Sequence, residues 1–412
     1  MRNYLLVILL FAAAGLKAQT PISWLLRSDT SYFDHGVFIA ANTNAEWASN
    51  VLDKGWARDM VVGGYFGGDQ EIGLLNRMSP SNRIGAFGNG EVQFFNGKDS
   101  IFHQNKWGIQ AGLGVVFNGY AGFTDDMFEL VYIGNKNHLG DTLNLGPTYF
   151  NYQAFKKFGV GVFNKKTLSG FKLNLVMGQD FQDYQLRKGD LYTSANGESI
   201  QLNYVGEFWQ ADTTKKGFVA NKGIGVSFDG DFNLPLANNS GFISVSVRDF
   251  GWVNWSGLTN HYYVDSTLTW TGVDINNIDS LSSNFALPNW ADTLGVERDQ
   301  RAKWSALPAW FHLRILKKWN NKNAYFAGIS LQPNFVSIPM GYFGLNQKVA
   351  KGWMLSEQIS YGGYGNFRLG VEAQYFIQNK FYLRVGSADV LGYFNDWNKG
   401  MSGFVGLGVH ID

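Results

Sequence analysis

The 412-residue chain contains no cysteine. It therefore forms no disulfide, offers no thiolate to a metal ion, and has no residue for a lipoprotein anchor after its leader. Its formal charge of +1 gives no electrostatic reason to expect nucleic acid as a partner. Past the first residues, no apolar run reaches the roughly twenty residues that a helical membrane span requires. These absences disfavour helical membrane proteins and nucleic-acid-binding proteins.

The beginning of the chain has the pattern of a secretory signal peptide. Arg2 supplies the positive start, residues 4–14 form a short apolar stretch, and Ala18 offers a small residue at the cleavage position. Lys17 interrupts the apolar stretch too early for a retained membrane anchor. We expect residues 1–18 to be a signal peptide that is removed.

Glycine and aromatic residues are abundant, whereas proline is scarce. The chain has 50 Gly, 33 Phe, 19 Tyr and 14 Trp against 8 Pro. This glycine content is compatible with disorder, but the aromatic content argues against it. Transmembrane β-barrels use glycine where strands bend and aromatic residues at the two membrane interfaces.

Apolar residues alternate with polar ones near the end of the chain. The pattern is clear in 367–375, in 381–386 and again in 405–411. A period of two sends alternate side chains to opposite faces of a strand. Repeated between turns, it is typical of a bacterial outer-membrane barrel. We predict an all-β fold, a transmembrane antiparallel β-barrel of about 14 strands, within a range of roughly 12 to 16.

Fourteen segments carry this pattern, and turn residues separate them. They lie near 106–118, 151–163, 171–178, 184–194, 198–210, 221–233, 241–253, 304–316, 324–332, 339–346, 352–361, 366–376, 380–388 and 402–411. The short turns at 317–323, 347–351 and 377–380 are predicted to face the periplasm. The long stretch 254–303 is predicted to be external, with its own hairpin around Tyr262 to Val273. Residues 125–135, with acidic residues first and a glycine stop, predict a short helix.

The N-terminal segment, residues 19–105, lacks a clean period. Residues 84–95 fit a strand, whereas residues 40–53 and 69–78 do not. Two interpretations stay open for this segment: a plug that folds into the lumen, or extra strands of the wall. The chain is therefore divided into a signal peptide, the segment 19–105, and the barrel 106–412.

If the aliphatic face of each strand faces lipid, the residues on the other face point into the lumen. The predicted lipid-facing residues are Ile243, Val245, Val247, Leu369, Val371, Leu383, Val385, Leu407 and Val409. The charged residues predicted to line the lumen are Lys172, Glu207, Asp229, Arg248, Arg314, Arg368, Glu372 and Arg384. A charge on the lipid face would cost about 2–4 kcal/mol near the midplane, which favours this assignment. The inward charges fit either a structural ladder of arginine–carboxylate pairs or the lining of a selective channel.

No catalytic or metal-binding pattern emerges. The six histidines do not follow metal-ligand spacings. Only His312 and His410 are placed on lumen-facing strand positions, and no motif singles out a serine to pair with either. We therefore expect no enzymatic activity, no cofactor and no metal site.

One motif carries a family resemblance. Residues 245–255 read Val-Ser-Val-Arg-Asp-Phe-Gly-Trp-Val-Asn-Trp. They resemble the strand-end pattern of an uncharacterised Bacteroidota outer-membrane β-barrel family of unknown function, with Phe250 in place of leucine. The helix that ends at Gly134 and the stretch 158–162 fit as well. The resemblance implies a barrel related in shape to fatty-acid transporters and to PorV and PorP/SprF proteins.

Two functions remain open, and passive transport of a small or amphipathic solute is favoured. A barrel of about fourteen strands is wide enough to leave a channel or to need a plug. The alternative is a non-catalytic envelope scaffold or docking protein for secretion, motility or surface assembly. The expected location is the cell outer membrane. The expected partners are outer-membrane lipid, the barrel insertion machinery, and either a small amphipathic solute or an envelope protein, with no nucleic acid.

Overall fold

The computed structural model describes residues 36–63, 68–98, 105–217, 220–271, 295–377 and 380–411. The predicted signal peptide and the first part of the N-terminal segment lie outside these ranges. The predicted external stretch 254–303 is described except for residues 272–294, which include the last two residues of its predicted hairpin.

In the described part of the chain, nineteen strands make up one continuous sheet. They are β1 (Val37–Ser49), β2 (Asn82–Asn96), β3 (Trp107–Phe123), β4 (Thr142–Asn144), β5 (Thr148–Asn164), β6 (Gly170–Thr193), β7 (Ile200–Gln210), β8 (Gly223–Pro235), β9 (Gly241–Trp255), β10 (Asn260–Trp270), β11 (Glu297–Gln300), β12 (Lys303–Ala306), β13 (Trp310–Lys318), β14 (Asn323–Leu331), β15 (Ile338–Ala350), β16 (Trp353–Gly363), β17 (Phe367–Ile377), β18 (Phe381–Ser387) and β19 (Gly400–Ile411). All pairings between these strands are antiparallel.

Fourteen of the strands close into a ring, which confirms the predicted transmembrane antiparallel barrel. In order around the wall they are β1, β2, β3, β5, β6, β8, β9, β13, β14, β15, β16, β17, β18 and β19. The ring closes where Val37 of β1 pairs with Ile411 of β19. Closure leaves no unpaired edge along the wall.

The predicted number of wall strands is right, but the segments that form those strands differ from the prediction in three places. Residues 171–178 and 184–194 belong to one strand, β6, and β7 (198–210 in the prediction) is not part of the ring. In exchange, β1 and β2 from the N-terminal segment are wall strands. The barrel therefore begins at Val37 rather than at residue 106, and the described part of that segment supplies extra strands.

The two ends of the barrel differ in the length of their connections. The turns at 165–169, 236–240, 319–322 and 351–352 are short, and both Val37 and Ile411 lie at the same end. We call this the inner end, because short turns face the periplasm in bacterial barrels. The opposite, outer end carries the long connections, including residues 50–81, 124–147 and 388–399.

Short helices lie in these outer connections. They are α1 (Lys54–Val62), α2 (Gly68–Leu75), α3 (Asp125–Tyr132) and α4 (Leu391–Phe394). The helix α3 confirms the prediction for 125–135: the Thr124 hydroxyl caps it, and Gly134 follows its end at φ 88°. None of the helices in the described ranges is long and apolar enough to cross a membrane.

A side sheet extends beyond the wall at the outer end. The far half of β6 pairs with β7, β7 pairs with β10, and β10 pairs with β11. Residues 260–270 form one uninterrupted strand, so the described residues of the hairpin predicted around Tyr262 to Val273 supply a single arm. The hairpin partner of β10 is β11 at residues 297–300. We call β7, β10, β11 and the far half of β6 the distal sheet.

The two faces of the wall have opposite chemistry, as the alternation predicted. Val245, Val385 and Leu407 are 40%, 49% and 53% exposed on the outside of the barrel. Their neighbours Ser244, Ser246 and Arg384 are almost fully buried on the inside. An apolar outer face next to a filled polar interior is the arrangement that a lipid bilayer requires.

Candidate functional site in the barrel lumen

Apolar side chains from six wall strands fill the outer half of the lumen. This outer aromatic layer consists of Phe87, Val116, Phe155, Val176, Trp255 and Trp310. Phe87 and Trp310 meet edge to face with ring centroids 5.8 Å apart. The ring order places β13 six strands from β2, so this contact crosses the lumen. The barrel is closed at this level.

A buried charge cluster lies directly below this layer. It comprises Glu91, Lys157, Lys172, Asp229 and Asp249. The Lys157 ammonium lies 2.7 Å from Asp249 Oδ1 and 3.2 Å from Asp229 Oδ2. Lys172 lies 3.3 Å from Asp229 and contacts Glu91 of β2. Lys172 and Asp229 are register partners on the adjacent strands β6 and β8, whereas the other pairs join strands that are not neighbours and so tie separate parts of the wall together.

A β-bulge places Asp249 in this cluster. The register between β8 and β9 shifts between Phe228 and Gly230, so Arg248 and Asp249 share a position that one residue would normally fill. Asp249 adopts φ 53°, and its N–H donates to Asp229 Oδ1 at 2.8 Å. Arg248 turns to Asp231, with Nη2 2.7 Å from Oδ2. The aspartate of the family-like motif is therefore the residue that turns the chain and neutralises Lys157.

The opposite side of the lumen carries a second set of charges. Arg384 pairs with Glu372, with Nε 2.8 Å from Oε1, and Arg368 pairs with Glu46 of β1. The guanidinium of Arg314 lies 4.1 Å above the Phe326 ring. A small cavity of about 30 Å³ adjoins Arg314, Glu372 and Gln374. The lumen is therefore not completely filled next to Arg314, Glu372 and Gln374.

A second aromatic layer closes the inner end. Phe95 lies 6.3 Å from Phe38 and 5.4 Å from Phe163, measured between ring centroids. Tyr382 of β18 packs against Phe242 of β9, which the ring places six strands away. Charged groups are therefore enclosed between two layers of aromatic rings.

The connection between β14 and β15, residues 332–337, reaches across the outer opening. We call it the mouth loop. Its Val336 packs with Ala48, Tyr120 and Tyr364. Its Phe335 stacks on Tyr149 of β5 at 5.5 Å between ring centroids, while remaining 77% exposed. Because β5 and β15 lie on opposite sides of the ring, the mouth loop covers the lumen.

The predicted lumen residues are placed as follows. Seven have buried or half-buried side chains inside the wall: Lys172, Asp229, Arg248, Arg314, Arg368, Glu372 and Arg384. The placement of Glu207 is wrong, because β7 belongs to the distal sheet outside the ring. Prediction missed Lys157 and Asp249. Lys156 and Lys157 are adjacent, as are Arg248 and Asp249, so a period of two cannot tell which of each pair points inward.

Glu207 has a local partner set in the distal sheet. Trp209 Nε1 donates to Glu207 Oε2 at 2.9 Å, and the Lys303 ammonium lies 4.2 Å from the Trp209 ring centroid. Burial raises the pKa of Glu207, but the Trp209 hydrogen bond and the charge of Arg187 outweigh it, so the pKa lies below its usual range. Within the described ranges, no group of three or more His, Asp or Glu side chains is arranged to hold a metal ion.

Comparisons with known proteins add a family and distant structural likenesses. No curated protein matches the chain. Its structure is similar to the TodX deltaS2S3 mutant monoaromatic hydrocarbon channel, at a TM-score of 0.46 and 9% identity, covering 96% of this chain and 94% of that one. The toluene transporter TbuX of Ralstonia pickettii gives 0.39 and 9%, covering 92% and 90%. A Pseudomonas aeruginosa FadL homologue gives 0.39 and 10%, covering 92% and 90%.

The family model described as "Family of unknown function (DUF5723)" matches residues 65–387, and the chain belongs to this family.

Proposed function

We propose that the protein is an outer-membrane barrel that lets a small amphipathic solute pass through its lumen without an energy source. The apolar outer face of the closed wall supports the membrane location. The Bacteroidota outer membrane implied by the sequence resemblance is part of the same proposal. The lumen, rather than a site on a loop, is the part of the molecule that would carry the function.

The observation that carries the proposal is a set of buried polar atoms along one side of the lumen. Within the described part of the chain, no protein group is hydrogen-bonded to Asn42 Oδ1 or Nδ2, Asn44 Oδ1, Gln374 Oε1 or the Tyr382 hydroxyl. Each buried polar group without a partner costs about 1–3 kcal/mol. A wall with a purely structural interior would gain by replacing them with apolar side chains. Water or a polar solute moving along β1, β17 and β18 would satisfy them.

The aromatic layers set the size limit of such a route. Phe87 and Trp310 close the outer half, and the mouth loop covers them. A solute must displace these rings, which favours molecules with an apolar part over hydrated ions. The same closure also favours the alternative of a scaffold, in which the lumen stays shut and the outer connections bind a partner.

Permeation through the purified barrel separates these two functions. Protein in liposomes is compared with the variant Trp310→Ala, in which the cross-lumen contact is lost. The control is Trp304→Ala, because Trp304 is 63% exposed on β12 and takes no part in the outer aromatic layer. Liposome swelling with uncharged solutes of graded size measures passage, and planar bilayers measure ion conductance.

We expect passage of small uncharged amphipathic solutes through the native barrel. Trp310→Ala should raise the rate and admit larger solutes, whereas Trp304→Ala should match the native protein. If the native barrel and both variants pass no solute while folding normally, the transport proposal is wrong and the scaffold is favoured.

A further inference from the structure

A group of polar side chains lies inside the outer aromatic layer, directly below the mouth loop. Asn118 of β3 is fully buried, and its register partners are Phe87 of β2 and Gln153 of β5. Gln153 is 5% exposed, and its amide nitrogen donates to the Ala306 carbonyl at 3.0 Å. Trp310 of β13, on the opposite side of the lumen, joins this group through its ring contact with Phe87.

Four polar atoms of this group are buried without a partner. They are both amide atoms of Asn118, Oε1 of Gln153 and Nε1 of Trp310, counting every protein group in the described ranges. The group therefore presents two donor nitrogens, with three N–H groups between them, and two carbonyl acceptors. None of the three residues bears a charge.

The surroundings of these atoms are apolar. Val116 and Phe155 are register partners next to Asn118 and Gln153, and both are at least 96% buried. The side chains of Phe87 and Trp310 form the remaining wall. A few polar atoms fixed in an aromatic enclosure are the usual composition of a small-molecule site. Asn151 lies between this group and the carboxylate of Asp183: its Oδ1 is 3.5 Å from Gln153 Nε2, and its Nδ2 donates to Asp183 Oδ1 at 2.9 Å. Lys157 and Glu91 lie in the buried charge cluster and are already paired.

We propose that Asn118, Gln153 and Trp310 form a recognition site for an uncharged solute. This solute would have an aromatic or other apolar body and a head group that both donates and accepts hydrogen bonds, such as an amide or a hydroxyl. A carboxylate or an ammonium group would lose the much larger hydration of a charge on entry. The inference rests on the proposed transport function and names the class of solute for the same lumen.

Binding to the full barrel in detergent tests this class with three matched probes. Benzamide has the ring and the donor–acceptor head, toluene has a ring alone, and benzoate replaces the head with a charge. Tryptophan fluorescence and calorimetry measure affinity. Since two or more hydrogen bonds distinguish the probes, benzamide should bind about tenfold or more tightly than either of the others.

Two nearly isosteric variants test the residues, Asn118→Leu and Gln153→Met. Because neither amide atom of Asn118 has a protein partner in the described ranges, Asn118→Leu should fold with an unchanged or higher thermal midpoint. Gln153→Met also loses the hydrogen bond from Nε2 to the Ala306 carbonyl, so its thermal midpoint should fall slightly. Each should also lose most of the preference for benzamide. Asn174→Leu is the control, since Asn174 is equally buried but donates from Nδ2 to Ser227 Oγ at 3.1 Å. It should lower the thermal midpoint and leave benzamide binding unchanged.

Equal affinity for the three probes, or unchanged benzamide affinity in Asn118→Leu, would overturn the inference. These outcomes are distinct from failure of the proposed function. A barrel that passes uncharged solutes without preferring benzamide contradicts only the recognition site. A barrel that passes no solute contradicts transport itself.

Discussion

The Lys157 ammonium lies 2.7 Å from one carboxylate oxygen of Asp249, and Asp249 reaches it because its backbone is left-handed at a bulge in β9. Both side chains are about 3% exposed. The same ammonium also approaches Asp229 of β8. One cation thus compensates two buried carboxylates on two strands that do not pair with its own.

Replacing Lys157 with methionine should destabilise the barrel strongly. The variant keeps the volume of the side chain but leaves Asp229 and Asp249 with one cation, Lys172, near the first of them. Loss of one partner from a buried ion pair costs about 3–5 kcal/mol. Urea unfolding in detergent, followed by tryptophan fluorescence, measures this loss.

The control for this measurement is Arg58→Gln. Arg58 of α1 pairs with Asp59 at 3.0 Å and with Asp396 at 3.2 Å, and its own side chain is 54% exposed. An exposed pair is screened by water and salt, so no resolved change in the free energy of unfolding is expected. Equal effects of the two substitutions would show that the buried charge cluster does not stabilise the wall.

Asp389, in the outer connection between β18 and β19, should make stability depend on pH. Burial raises the pKa of Asp389 to about 6 from its ordinary value of 3.8. Between these values the folded protein holds a proton that the unfolded chain releases. The free energy of unfolding should therefore fall as pH rises from 4 to above 6, by up to about 3 kcal/mol from this residue.

The variant Asp389→Asn should remove this dependence. Its amide oxygen can still accept the hydrogen bond from Asn398 Nδ2, which lies 3.0 Å from Asp389 Oδ2 in the native protein. We expect the variant to match the native protein near pH 4 and to exceed its stability near pH 7.5. Thermal unfolding across this range is the measurement, and parallel curves for the two proteins would contradict the assignment.

A charge on the outer face of the wall should impair insertion. Leu113 of β3 is 60% exposed and faces lipid. The substitution Leu113→Arg should cost about 2–4 kcal/mol if Leu113 lies near the bilayer midplane. Leu139→Arg is the matched control, because Leu139 is 54% exposed in the outer connection after α3. Folding yield into liposomes should fall for the first variant only, whereas equal yields would argue against a lipid-facing β3.

The lipid-facing residues could be predicted from the sequence because one face of each wall strand contacts a uniform apolar environment. Where a strand leaves the lipid-facing wall, its apolar residues no longer alternate regularly. In β6 a register shift opposite Ala154 and Phe155 interrupts the alternation, and the strand then continues into the distal sheet. One strand of 24 residues was therefore predicted as two. In β1 the outward residues Ala41, Thr43 and Ala45 are too weakly apolar to mark a lipid face.

The sequence predicted which kinds of side chain fill the lumen, but not which of them form ion pairs with one another. Arg368 and Glu372 lie on the same face of β17 as expected, yet Arg368 pairs with Glu46 and Glu372 with Arg384. Those partners come from other strands, and the sequence of a single strand does not determine its register with the strands beside it. The mouth loop and the Phe87–Trp310 contact were missed for the same reason, since both cross the lumen.

The seam between β1 and β19 has a consequence for how the chain reaches its final form. The first described strand completes its hydrogen bonds only with the last one, from Val37 with Ile411 to Ala48 with Gly400. Such a pairing has the largest sequence separation that the wall contains, and contacts of this kind form slowly. Until β19 arrives, β1 and β18 are open edges that can pair with another chain. Both edges therefore need protection until β1 and β19 have paired.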